Sequence, residues 1–203
     1  MQPSKPDPSP LPAAPTPPSP AGYAVTMMRP HLREVPAAAF PTGYGIRNLQ
    51  PDEGPLWLAI ERDAEEEFRQ RFADNAFERE FGTDLDAVPQ RCFVVVDGSG
   101  AGVGTISAWY YTYRQQEYGL IHWVAVRRAY QGLGLGRAMV SFALGQLARW
   151  HDRALLNTAN RRLPAIALYL NFGFAPVLDA PEARDRWREV AARLDHPALR
   201  EFT

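Results

Sequence analysis

The period of the apolar positions changes several times along the chain, and each change marks an element. Tyr44 to Leu49 alternates as a first strand would, and Gln50-Pro51-Asp52-Glu53 then places a proline and acids where a helix begins. Leu56, Ile60, Ala64, Phe68 and Phe72 recur at helical spacing up to Phe81, with a break into two helices expected around Phe72 to Ala76. Cys92 to Val96 is a short β-branched run, and Asp97-Gly98-Ser99-Gly100 supplies the hairpin turn into a return strand from Gly102 to Tyr113. A polar turn at Arg114 to Glu117 leads to a strand from Gly119 to Val126. Gly136 to Trp150 is helical, with Ala138, Val140, Phe142, Leu144 and Leu147 for its buried side. Ala154 to Thr158 is a strand, Leu163 to Asn171 a helix and Phe174 to Leu178 a last strand. Glu182 to Leu194 is a final helix opened by Pro181.

The resulting order is β, α(α), β, β, β, α, β, α, β, α. A meander of strands followed by βαβ units predicts a mixed sheet in an α/β (α+β) domain. No internal repeat is visible. Before Tyr44 the pattern is different. Nine prolines fall in the first twenty positions, which forbids helices and sheet ladders. Residues 1–42 are therefore read as a Pro-rich disordered tail and extension, and 43–203 as one domain. Pro12 to Pro15 has the spacing of a PxxP ligand, but composition alone favours a featureless tail. Pro30 to Pro41 is expected to drape over the domain surface. Met27 and Met28 leave open a later translation start.

Composition narrows the partners. A length of 203 residues suits a single core of ordinary size. The net charge of −1 offers no bulk attraction to nucleic acid or to an anionic membrane. Cys92 is the only cysteine, so neither an intrachain disulfide nor a cysteine metal cluster can form. No apolar run approaches a membrane span, and the N-terminus lacks a signal-peptide pattern. A cytoplasmic protein without metal is the expectation, as a monomer or homodimer.

The candidate chemistry starts at Gln131-Gly132-Leu133-Gly134-Leu135-Gly136, between the strand ending at Val126 and the next helix. Three glycines at alternate positions let an anion approach the backbone, and the helix start supplies unpaired N–H groups and a positive dipole end. Such a site suits a phosphate or pyrophosphate. Arg127, Arg128 and Arg137 flank it. A P-loop would need a lysine, which is absent here, and a dinucleotide fingerprint needs G-x-G-x-x-G after a parallel first strand. The Gly98 to Gly104 cluster lies between two strands and reads as hairpin chemistry.

The remaining pattern, Q-x-x-G-x-G at Gln131, Gly134 and Gly136, resembles the acetyl-CoA-binding motif of the GNAT superfamily of N-acetyltransferases. Val124 and Val126 match the strand before that motif, and Ala165-Ile166-Ala167-Leu168-Tyr169-Leu170-Asn171-Phe172-Gly173-Phe174 resembles the family's A-I-x-L-Y-x-x-x-G-F segment. The two motifs stand in the right order, and the resemblance covers roughly two thirds of the chain. It implies a GNAT fold with an antiparallel N-terminal meander and helices on both faces of the sheet. It also implies acetyl-CoA as co-substrate, bound by Val124, Ala125, Val126, Gln131, Gly132, Leu133, Gly134, Leu135, Gly136 and Arg137. One departure stands out: the family's asparagine position falls on Arg162, which could reach a phosphate instead.

The resemblance further implies direct attack by an amine, through a tetrahedral intermediate whose oxyanion is held by the N–H of Val126 or a neighbour. Tyr169 matches the tyrosine that serves as acid for the leaving thiolate; packing at a helix end is its other reading. His122 lies two residues before Val124, on the same strand face, and imidazole suits a base at neutral pH. A hydrogen-bonded core histidine is the equal alternative. Glu117 and Tyr118 are weaker base candidates. On the acceptor side, Glu61, Asp63, Glu65, Glu66 and Glu67 could attract a cationic amine, but the interleaved Arg62, Arg69 and Arg71 favour a solvated helix face. Trp109, Tyr110, Tyr111, Tyr113 and Trp123 fit ordinary sheet packing better than an aromatic acceptor pocket. The function expected is acetyl transfer to a primary amine of a small molecule or protein; the alternative is a non-catalytic acyl-CoA-binding sensor with the same fold.

Overall fold

The structure is a computed structural model that describes residues 24–66 and 72–203. The expectations for Glu67, Phe68, Arg69 and Arg71 lie outside the described residues. The strands are β1 (Ala24–Arg29), β2 (Tyr44–Asn48), β3 (Cys92–Asp97), β4 (Gly102–Tyr113), β5 (Gln116–Val126), β6 (Ala154–Ala159) and β7 (Ala175–Pro176). The helices are α1 (Gly54–Ala64), α2 (Ala76–Phe81), α3 (Val88–Arg91), α4 (Leu135–Leu147), α5 (Leu163–Asn171) and α6 (Ala183–Ala191). They surround one seven-stranded sheet of order β2-β3-β4-β5-β6-β1-β7.

Strands β2 to β5 form the expected antiparallel meander. Its first hairpin turns on Asp97, whose carboxylate accepts the N–H of Ser99 (2.9 Å) and of Ala101 (3.2 Å). The β4–β5 turn uses Arg114 and Gln115, both left-handed (φ 50° and 62°), as a tight hairpin requires. Side chains alternate between two cores. Phe93 and Val95 point toward the cluster under α4, α5 and α6, whereas Cys92 and Val94 join Trp57, Phe77 and Phe81 under α1 and α2. The mixed sheet with helices on both faces is the architecture expected from the sequence. The final strand is shorter than expected: only Ala175–Pro176 pairs.

The expected domain boundary is corrected. Ala24–Arg29, expected in the tail and extension outside the domain, is a strand inside the sheet, antiparallel to β6 on one side and β7 on the other. Val25, Met27 and Leu32 are buried. The Arg29 side chain donates to the carbonyls of Arg33 (3.0 Å), Glu34 (3.3 Å) and Phe172, tying the strand to the turn after α5. The alternation in Ala24–Arg29 is legible, but proline density around it hides the pattern, and its partners lie more than a hundred residues away.

Candidate active site

The site is built on a parting of two strands. β5 and β6 pair in parallel only at Gly119 with Ala154 and at Leu120 with Leu155. Beyond Leu120 they separate. The cause is visible in β5, where the register to β4 slips between Thr105 and Ser107 and Trp123 takes a left-handed conformation (φ 47°). That backbone is unusual for a bulky residue. It is held by the indole, which packs edge-on to Trp57 (5.4 Å) and Phe72 (5.2 Å) and donates from Nε1 to Glu80 Oε2 (3.2 Å).

The bulge inverts the alternation of β5. Tyr118 and Leu120 face the α1 side, and so do Trp123 and Ala125, whereas Val124 and Val126 pack toward α4. His122 therefore does not share the face of Val124, as strict alternation had implied. It sits beside Phe81 and Trp123 with Nε2 3.9 Å from Glu80 Oε2. Desolvation pushes its pKa down to about 3, so the imidazole is neutral at physiological pH and weakly basic.

The open edge of β5 carries the expected main-chain groups. The N–H of Arg127 donates to Val103 O (2.8 Å), toward β4. Residues two apart point alike, so the N–H and C=O groups of Val124 and Val126 face the gap instead. Gln131 agrees with this: its Nε2 donates to Val126 O (2.9 Å) and also to Ala64 O (3.2 Å). The Gln131 side chain thus braces the loop against β5 and α1.

The glycine loop has the predicted openness. Gly132 (φ 78°) and Gly134 (φ 83°) are left-handed, and a Cβ at either would meet nothing within 4 Å. Gly134 caps α4, whose first intrahelical bond runs from the Ala138 N–H to Gly134 O. The N–H groups of Leu135, Gly136 and Arg137 precede that bond and have no intrahelical acceptor. Leu133 is exposed, Leu135 anchors the helix in the core, and Gly136 lies over Leu168. The arginines divide. Arg127 Nε donates to Gly102 O (2.8 Å) and Arg128 Nη1 reaches Glu66 Oε2 (3.3 Å), both away from the loop. Arg137 is exposed at the helix start. Arg162 is occupied: Nε lies 2.7 Å from Glu65 Oε1 and Nη2 2.8 Å from Oε2, so it joins α5 to α1.

Tyr169 is buried on α5, its ring against Phe174 (6.0 Å), and its phenol is pushed up to about 12, mainly by desolvation. Its hydroxyl makes no hydrogen bond among the described residues, and the charges it feels are those of Arg162, Glu61 and Glu65. The expected solvated face of α1 is corrected at Glu61, which is 1% exposed. Sequence did contain that signal: Trp57, Glu61 and Ala64 share one buried stripe of the helix, so a carboxylate stands where an apolar residue belongs. Glu117 and Tyr118 are at the far end of β5; Glu117 Oε1 pairs with His151 Nδ1 (3.1 Å), and Tyr118 faces Arg153. Trp109 and Tyr110 are core residues stacked on each other (5.2 Å).

Residues 57–174, which include the parted strands, the glycine turn and the start of α4, match the acetyltransferase (GNAT) family in sequence. The chain belongs to the GNAT acetyltransferase family. Solved GNAT structures share the fold. A GCN5-related N-acetyltransferase from Sphaerobacter thermophilus superposes with a TM-score of 0.60 at 20% identity, covering 76% of this chain and 48% of that one. A GNAT-family acetyltransferase from Colwellia psychrerythraea gives 0.60 at 10% identity, covering 76% and 53%. A tandem GNAT protein from the clavulanic acid biosynthesis pathway gives 0.54 at 21% identity, covering 76% and 50%. The chain thus spans about half the length of the solved chains it resembles. No curated protein matches it in sequence. Among the described residues of this GNAT chain, no helix is long and apolar enough to cross a membrane.

Proposed function

We propose that this GNAT domain transfers an acetyl group from acetyl-coenzyme A to a primary amine of a small molecule or protein. The observation that carries the reading is the β5–β6 gap running into the Gly132–Gly134 turn and the start of α4. Its parts suit coenzyme A. The open N–H groups at the start of α4 and Arg137 fit the pyrophosphate. On the free edge of β5, the N–H groups of Val124 and Val126 and the carbonyl of Val124 fit the amides of the pantetheine arm, as an added strand would. An N–H on that edge can hold the thioester oxygen as charge develops on it. Gln131 acts indirectly, by bracing the turn.

The amine nitrogen attacks the thioester carbon, the C–N bond forms and the C–S bond breaks. Tyr169, protonated at neutral pH, presents its O–H to the leaving sulfur. A phenol near 12 cannot readily give its proton up to a thiolate of ordinary basicity near 8.5, so its contribution is a donated hydrogen bond. The proton that ends on sulfur comes from the amine nitrogen. Tyr169→Phe is accordingly expected to lower kcat about 100-fold, with acetyl-CoA affinity and Tm nearly unchanged. Steady-state kinetics checks this, and an unchanged kcat would return Tyr169 to a packing role.

The reading is tested by thiol release from acetyl-CoA with a panel of primary amines, beside calorimetric titration with coenzyme A. Release that depends on the amine supports it. Tight binding without turnover on any amine would instead support a sensor.

A further inference from the structure

The buried face of α1 contains an acid without a hydrogen-bond partner among the described residues. Both carboxylate oxygens of Glu61 are buried and make no hydrogen bond among the described residues. Buried carboxylates are ordinarily paired, because an unpaired one forfeits its hydration with nothing in return. The cation whose charge acts on Glu61, Arg162 at the start of α5, also holds Glu65 with two short contacts. Glu65 and, from α2, Glu80 also act on Glu61 and oppose the pull of Arg162, and the neutral phenol of Tyr169 on α5 feels its charge. Among the described residues, Trp57 Nε1, one turn earlier on α1, and Thr105 Oγ1 on β4 are also buried without a hydrogen-bond partner. Thr105 pairs with Ala125, next to the open edge of Val124 and Val126.

We propose that Glu61 receives the acceptor, its carboxylate binding the ammonium of a cationic primary amine and taking the proton that must leave before nitrogen can attack. The ammonium supplies the donors that Glu61 lacks. The step balances: one proton passes from the ammonium to Glu61 and later to solvent, the freed lone pair forms the C–N bond, and a second N–H proton ends on the sulfur. The same charges select the substrate. Glu61 and Glu80 attract a cation and repel a carboxylate, and the rings of Trp57, Phe72 and Trp123 pack together on the same side of the sheet. Simple amines should be favoured over free amino acids. Burial pushes the Glu61 carboxyl up to about 8, which suits a base at neutral pH better than His122.

This inference rests on the amine-acetyltransferase reading, and its test separates the two. Wild type and Glu61→Gln are compared with benzylamine, 1,4-diaminobutane and glycine as acceptors, with calorimetric acetyl-CoA binding alongside. For wild type, kcat/KM for the two amines should rise with pH to a plateau with a midpoint near 8, and glycine should be poor. Glu61→Gln should lower kcat/KM at least about 100-fold and abolish that limb, with acetyl-CoA affinity within about twofold of wild type. Its Tm at pH 8 should be no lower than wild type, because a buried unpaired charge is removed.

If Glu61→Gln keeps both the rate and the limb, the inference falls and the acetyltransferase reading stands. If acetyl-CoA binds but wild type acetylates none of the amines, both fall. A steep fall in Tm would mean a structural carboxylate and would also overturn the inference. Wild type supplies a readout independent of turnover. Since the folded-state pKa is raised above the unfolded value, this stabilising contribution is present at low pH and lost as pH rises through about 8. His122, with its pKa lowered, acts in the opposite sense and only below its ordinary value of 6.5. Between about pH 8 and 6.5 the Tm of wild type should therefore rise as pH falls, and Glu61→Gln should flatten that rise. A flat wild-type Tm overturns the unpaired carboxylate.

Discussion

Gly134→Glu is expected to remove coenzyme A binding, raising Kd at least about 100-fold, or roughly 3 kcal/mol. Two effects add. Gly134 has φ 83°, where a side chain strains the backbone by about 1–2 kcal/mol. The new carboxylate would also sit at the cap of α4, beside the N–H groups of Leu135 to Arg137, and in the proposed binding mode would both occupy and repel the pyrophosphate. Gly134→Ala separates the two contributions. Its Cβ would meet nothing within 4 Å, so only strain remains, and affinity should fall about tenfold or less. Isothermal titration with coenzyme A measures both variants. Equal affinity for wild type and Gly134→Glu would remove the loop from the binding site.

A chain beginning at residue 43 is expected not to fold. It would lose β1, which occupies the middle of the β6-β1-β7 half of the sheet. Val25 (2% exposed), Met27 (0%) and Leu32 (6%) would leave the core. At about 1.5–3 kcal/mol each, their burial is worth roughly 5–9 kcal/mol, comparable to the whole stability of an ordinary domain. The register from Ala24 with Ala159 to Arg29 with Ala154 would also vanish, along with the Arg29 contacts to Phe172. The uncovered edge of β6 would be a template for association. Circular dichroism on heating and size-exclusion chromatography decide this. A cooperative melt within a few degrees of the full chain, from a monodisperse sample, would show that β1 is dispensable.

These two expectations differ in where they could be read. The loop is chemistry encoded within a few residues: glycines, a helix start and a missing lysine all lie between Val126 and Arg137. Most elements were legible for the same reason. Gly102–Tyr113 and Leu163–Asn171 have the bounds their own periodicity predicts, because hydrogen-bond ladders and buried faces impose periods of 2 and 3.6 on neighbouring residues. The pair of motifs at Gln131 to Gly136 and Ala165 to Phe174 likewise pointed to the family that the profile over residues 57–174 bears out.

What the tertiary structure decided involves residues far apart in the chain. β1 becomes a strand through pairing with Ala154–Ala159, a long-range partner that no local pattern announces. The face of His122 depends on one left-handed residue, Trp123, whose strain is held by Trp57 and Phe72 from another element; alternation counted along β5 alone places it on the wrong side. Arg162 meets Glu65 across 97 positions and so is not free for a phosphate. Glu61 looked like one acid among several on a charged helix, and only packing shows that its face is buried and that Arg162 is taken by its neighbour. Periodicity and motif residues act within a single element, so the sequence by itself determined most of the elements and the glycine turn. Burial, strain and charge balance arise between elements, so which acid and which histidine end up inside was decided only when the chain folded.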